Sequence, residues 1–373
     1  MDMKAMGIVF SNIYDSSLSE LTSVRTVASL PFGGRYRFID FVLSNMSNSA
    51  ICNIGVITKY NYRSLMDHLG NLSDWDLNRK NEGVVFLPPF ATGNTGVYKG
   101  KLEALHSALD FLDNPKYDYV VVCDSTVLCN VDFRPAIRQH IRSGCDVTIL
   151  ANREPMDPPK KHPLIMKADK KGEVTGIMID TYVRPETYVG LGMFIFSRAQ
   201  LVEILEDTYS RGMVHLERDF LQRKLNEKAI RISVYPVEGV VLRNEDVRSY
   251  YANNMALLDQ KVRDDLFNSE NPIYTKVRDE APTYYGAGNR VADSLVADGC
   301  RVFGNVEKSV IFRGVTVEEG ARVSSSIVMQ GTKIGRGAKL ECVILDKNVT
   351  IADGTVLKGT PDHPVIIQKG ETA

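Results

Sequence analysis

The sequence predicts a chain in two parts: an α/β domain built on a parallel sheet, followed by a parallel β-helix. Two changes of texture predict it. Over the first two-thirds, short runs rich in Val and Ile alternate with stretches of helical period, as expected of strands covered by helices on both faces. After about residue 280 the helical period disappears. Apolar residues then recur six apart, separated by Gly, Asp, Asn and Ser. Length agrees, because 373 residues suggest two domains rather than one. The bounds expected are 1–260 for the α/β domain, 261–289 for a linker and 290–373 for the β-helix.

A first strand is read at Ile8–Phe10. "NIGVITKY", "YDYVVVCDS", "CDVTILAN" and "GMFIFSR" are read as further strands, and "KLEALHSALDFL" and "RAQLVEILEDTY" as helices between them. Ligands of such sheets sit at the carboxyl ends of the strands, so the loops after Phe10 and Val122 are where a site is expected. "SYYANNMALLDQKVRDDLF" has a helical pattern and joins the two parts, and "RDEAPTYYGAGNRVADS" is turn-rich. In the repeat region Val317, Val323 and Met329, then Ile334 and Leu340, then Ile351 and Leu357 are expected to stack coil upon coil. The short step from 329 to 334 would mark a corner or a bulge.

Bulk properties narrow the function. Net charge is −1, with 44% apolar and 24% charged residues, which points neither to nucleic acid nor to an acidic membrane surface. No apolar run is long enough to span a bilayer, and the apolar stretch in "MDMKAMGIVF" is too short for a signal peptide, so a cytoplasmic protein is expected. The six cysteines form no CxxC pair. Buried free thiols are expected rather than disulfides or a zinc site.

"LSELTSVR", "LPFGGRYRFIDFVLSNMSNSAICNIGVITKY" and the long repeat "VEKSVIFRGVTVEEGARVSSSIVMQGTKIGRGAKLECVILDKNVTIADGTV" together carry a specific resemblance. They are similar to the bacterial ADP-glucose pyrophosphorylases, the glucose-1-phosphate adenylyltransferases, over nearly the whole chain. The resemblance implies a Rossmann-like nucleotidyltransferase domain followed by a left-handed β-helix. It also implies a reaction in which a phosphate oxygen of glucose 1-phosphate attacks the α-phosphorus of ATP. Such chemistry needs glycines that let backbone N–H groups approach the triphosphate, fixed cations, and carboxylates that hold Mg²⁺.

Set against that pattern, most of the machinery is missing. The family's glycine-rich loop falls on Asn12–Ser17, where Asn12, Ile13 and Asp15 replace glycines and Ser17 replaces the catalytic arginine. A branched residue disfavours positive φ, and an aspartate repels phosphate. The family's lysine after this loop is Val27. The second loop survives only as a frame, Gly100 to Leu105, with Lys101 and Glu103 departing from the pattern. The lysine that would hold the sugar phosphate has no counterpart in "MIDTYVRPETYVG". Asp124 matches one metal-binding aspartate, and Arg243 stands at the other, or Asp246 if the loop carries a gap. A guanidinium there would repel Mg²⁺. Asp124 alone makes no metal site, and as a lone carboxylate it reads as a cap at a strand end.

The resemblance therefore implies a regulatory, catalytically impaired subunit with no cofactor of its own. Mg²⁺ is expected only at the site of a catalytic ADP-glucose pyrophosphorylase subunit, with which it would form a mixed tetramer. The family's sugar-phosphate effector site maps to Arg25, Arg37 and Lys347, with Arg35 nearby, all still basic. The alternative for each is a solvated charge or a pair with a carboxylate such as Glu20 or Asp346. Three rival readings stand beside this one. An active adenylyltransferase would draw phosphate charge from Lys59, Lys99 or Lys101. A hexapeptide acyltransferase would need a catalytic histidine, and only His363 lies near the repeats. A pure scaffold would bind nothing.

Overall fold

The computed structural model describes residues 4–11, 18–89, 97–155 and 160–373. A nine-stranded sheet forms the heart of the first part. Ala5–Phe10, Asn53–Ile57, Gly83–Leu87 and Tyr119–Asp124 run parallel. Thr187–Ser197, which contains the "GMFIFSR" run, is antiparallel to both Tyr119–Asp124 and Val147–Asn152. The sheet is therefore mixed, not parallel throughout. Thr187–Ser197 also pairs antiparallel with Lys161–Ala168, so it is flanked on both sides by strands of opposite direction. Lys161–Ala168 and Val174–Tyr182 pair as an antiparallel hairpin at the far edge. Alternation along Ala5–Phe10 sends Ile8 and Phe10 into one apolar layer with Leu102 and Leu201, and Val9 into the other with Ile39 and Phe133. "KLEALHSALDFL" forms two short helices, Lys101–His106 and Leu109–Leu112, rather than one. All six cysteines are buried and free.

The second part is a left-handed β-helix of three parallel ladders, each five strands deep. Its first strand, Tyr284–Tyr285, already lies inside the turn-rich stretch. Val323, Leu340 and Leu357 stack in register, as do Val317, Ile334 and Ile351. The third stack is Ile311, Val328 and Leu345, so Val328 and not Met329 fills the coil interior. The middle coils repeat every 17 residues, as from Val317 to Ile334 and from Val323 to Leu340, while 15 separate Val302 from Val317 and 22 separate Leu345 from Ile367. In the 17-residue coils the short step falls between the second and third ladders. Lys308, Ser325 and Cys342 occupy that corner with positive φ, which turns the chain tightly. Displaced from the interior, Met329 points outward with Phe312 into the apolar layer between the two parts.

That layer explains the survival of "PFGGRYRFIDF". Pro31–Phe32 and Tyr36–Arg37 form a hairpin whose three-residue loop begins with Gly33 and Gly34, at φ of 61° and 86°, left-handed values that favour glycine. Phe32, Phe38 and Phe41 then pack with Tyr250 on one side and with Phe312 and Met329 of the β-helix on the other. The Val247–Ala256 helix completes the junction. The Tyr250 hydroxyl donates to the Pro31 carbonyl at 2.7 Å, and the Tyr251 hydroxyl donates to the Ser325 carbonyl. Tyr250→Phe should cost about 1–2 kcal/mol, because a buried carbonyl loses a donor while the packing stays. A thermal midpoint equal to that of the parent chain would show that this bond contributes nothing.

Candidate functional site

A cleft of about 540 Å³ opens at the carboxyl ends of the central strands. Asp124 ends its strand there. Lys101 enters from the first turn of Lys101–His106 and is 1% exposed. Its ammonium lies 2.7 Å from Asp124 Oδ2 and also donates to Glu217 Oε1, from the first turn of Leu216–Gln222. Burial pushes the Asp124 carboxyl above its ordinary range, and Lys101 pulls it back. Gly192 makes the close approach possible. It has φ +67°, and a Cβ there would clash with Asp124 Oδ2.

The opposite wall holds the second cation. Arg243 bonds Glu154 at 2.7 Å, the carbonyls of Val189 and Gly190 at 3.2 Å each, and the Asn152 side chain. Beside it His162 lies 2.9 Å from Glu154 and 3.1 Å from Glu245. Burial alone would raise the Glu154 carboxyl, but His162 and Arg243 bring it down to about 2. Burial alone would lower His162, and its two carboxylate partners raise it instead.

This arrangement settles the fit of a divalent cation. Asp124 and Glu217 are a plausible pair of ligands, but an ammonium already sits between them. Arg243 brings positive charge to the same cleft. Among the described residues no group of three His, Cys, Asp or Glu side chains is placed to hold a metal ion. The residues present do not fit Mg²⁺.

The other positions singled out in the sequence are dispersed. Ser17 and the rest of the Asn12–Ser17 loop lie outside the described residues. Val27 is buried in the junction layer. The Glu103 carboxylate accepts from the Lys99 backbone N–H, just ahead of its own helix. Lys59 lies over the rings of Tyr60 and Tyr98 and, like Lys99, does not line the cleft. Glu217, Glu154 and His162 had no motif to mark them. The one available signal was a lysine at 101, which once buried must find carboxylates.

A second, basic pocket lies where the Gly33–Gly34 hairpin meets the β-helix. Arg35, Arg37 and Lys347 line it together with Arg278, Arg313 and His68. Arg25 does not line it. It is 2% exposed and paired with Asp346 at 2.8 Å, so the carboxylate-pairing alternative holds for this residue. Its second amino group, Nη1, is buried without a hydrogen-bond partner. Arg35 reaches Asp298 at 3.1 Å, and Arg37 bonds the Ser64 carbonyl at 2.7 Å. No partner for the Lys347 ammonium is found among the described residues. Burial, then the charges of Arg37 and Arg25, push it down to about 6. Three segments far apart in sequence thus converge on a pocket rich in cations and poor in anions, the composition of a phosphate site. Among the described residues no helix is long and apolar enough to cross a membrane.

Comparison with known proteins agrees with this architecture. A Nucleotidyl transferase family profile matches residues 14–235, and a GlmU-like C-terminal hexapeptide profile matches 282–363. The chain is 34% identical to the glycogen biosynthesis protein GlgD of Bacillus subtilis, over 98% of this chain and 96% of that one. It is 35% identical to GlgD of Geobacillus stearothermophilus, over 99% and 97%. It is 33% identical to the glucose-1-phosphate adenylyltransferase of Bacillus subtilis, over 100% and 98%.

Proposed function

We propose that this chain, which belongs to the family of the GlgD glycogen biosynthesis proteins and the glucose-1-phosphate adenylyltransferases, is a regulatory subunit of glycogen biosynthesis without substantial turnover of its own. One observation carries the reading: Lys101 stands between Asp124 and Glu217, where catalysis would need a divalent cation. Arg243, fixed by Glu154 and two carbonyls, adds a second cation that the chemistry does not want. The scaffold around the cleft is intact, and so is the junction with the β-helix. An intact scaffold around a disabled centre suits a subunit that acts through a catalytic partner. The basic pocket supplies the input. A sugar phosphate bound by Arg37 and Lys347 would bridge the hairpin and the β-helix and bias the geometry of the junction.

The test is ADP-glucose synthesis by this chain alone, by a catalytic homologue alone, and by the two co-expressed, each with and without a sugar bisphosphate. The expected result is no turnover alone, and a changed rate or effector response in the mixture. Robust turnover by the purified chain alone would overturn the reading.

A further inference from the structure

We propose that the cleft at the strand ends binds an uncharged, hydroxyl-rich ligand, a sugar without a phosphate, in place of a nucleoside polyphosphate. The inference comes from where the charges in the cleft are already committed. Lys101 is held by Asp124 and Glu217. Arg243 is held by Glu154 and backbone oxygens. His162 lies between Glu154 and Glu245. Arg218, at the rim, pairs with Asp180 at 3.3 Å. Each cation therefore faces a carboxylate of this chain. A triphosphate entering here would meet Asp124, Glu217, Asp180 and Glu245, while every lysine and arginine lining the cleft among the described residues is already paired with a carboxylate.

The same cleft suits a neutral polyol. Its wall carries Leu164, Ile179 and Leu191, which offer an apolar surface to the C–H face of a pyranose ring. Around that surface stand acceptors. A paired carboxylate still has lone pairs to accept from a hydroxyl, and the Asp180 and Glu245 side chains are 56% and 45% exposed. A hydroxyl donates without bringing charge, so the ion pairs need not break.

The experiment titrates the intact chain by calorimetry with glucose, with maltotriose and with ATP plus Mg²⁺, and follows the thermal midpoint with the same three additions. Binding by glucose, by maltotriose or by both, at millimolar affinity or better, is expected, with a raised midpoint and no response to ATP plus Mg²⁺. The two sugars distinguish a single ring from a glucan chain. Ile179→Trp, which narrows the cleft from a half-buried position, should abolish the sugar signal. Lys358→Ala, an exposed change on the β-helix, should leave it in place. Two results overturn the proposal: saturable ATP binding that Ile179→Trp removes, or no heat and no midpoint shift from either sugar. Neither bears on turnover, so the regulatory reading is tested separately.

Discussion

Lys101→Met should cost about 3 kcal/mol of stability and make the chain responsive to Mg²⁺. Breaking a buried ion pair by removing one partner costs roughly 3–5 kcal/mol, because the remaining charge loses its compensation. Here Asp124 and Glu217 would face each other, at 19% and 14% exposure, and that partial hydration places the effect at the lower end. Methionine keeps most of the stem volume, so packing loss is a minor part. The two carboxylates freed by the change are ligands a divalent cation accepts. Thermal unfolding in EDTA and in Mg²⁺ checks both halves. The parent chain should melt at the same temperature in either, whereas the variant should melt lower in EDTA and recover part of the loss in Mg²⁺. A variant as stable as the parent in EDTA would mean that the ammonium does not hold the site together.

Sulfate binding at the basic pocket should weaken by up to tenfold for each pH unit above about 6. Sulfate keeps its charge through this range, so the titration belongs to the protein. Lys347 is the group that changes. Burial, with Arg37 and Arg25 beside it, lowers its folded value to about 6, and Asp346, the nearest carboxylate, is paired with Arg25. Arg278 adds further positive charge, and Arg313 faces the pocket while paired with Asp298. His68, which also faces it, is lowered by burial despite its 2.6 Å contact with Asp40, so its titration moves away from this range. An arriving dianion favours the ammonium form and draws a proton onto Lys347. Binding that takes up a proton loses affinity as pH rises. The sign for folding is opposite. The unfolded chain holds this proton up to about 10.5, so between the two values the group's contribution to stability grows with pH. Calorimetry between pH 7 and 8.5, in buffers of different ionisation enthalpy, reads both the slope and the proton count. Lys347→Met should flatten the profile. A flat profile in the parent chain would rule out Lys347 as the titrating ligand.

Much of this was legible in the sequence for physical reasons. The β-helix was legible because each coil repeats the same demand on its interior, and a stack such as Val317–Ile334–Ile351 writes that demand out at fixed spacing. The side on which a residue points was not. Met329 sits one place past Val328, the interior position that follows the short corner, and an error of one residue there turns a side chain from the coil interior to the junction. Strand existence was legible from Val and Ile runs, whereas the direction of Thr187–Ser197 was not, because a Val- and Ile-rich run reads the same whichever way the strand lies in the sheet. The same limit applied at the cleft. Lys101, Asp124 and Arg243 stood out as departures from or remnants of a pattern. Their partners Glu217 and Glu154 lie 116 and 89 positions away in the chain and carry no motif.

The pairing of Arg25 with Asp346 joins residues 321 positions apart. It has a consequence for how the chain is made. During synthesis the guanidinium leaves the ribosome with the first few dozen residues, and its carboxylate arrives only when the chain is nearly finished. The same delay applies to Phe32 and Phe38, whose apolar partners Phe312 and Met329 also emerge late. The amino-terminal domain can collapse onto its sheet early, but the hairpin edge that faces the β-helix must remain unsealed for most of translation. A chain cut short before Asp346 would therefore carry its damage at the opposite terminus, as an exposed aromatic edge that invites chaperones or aggregation.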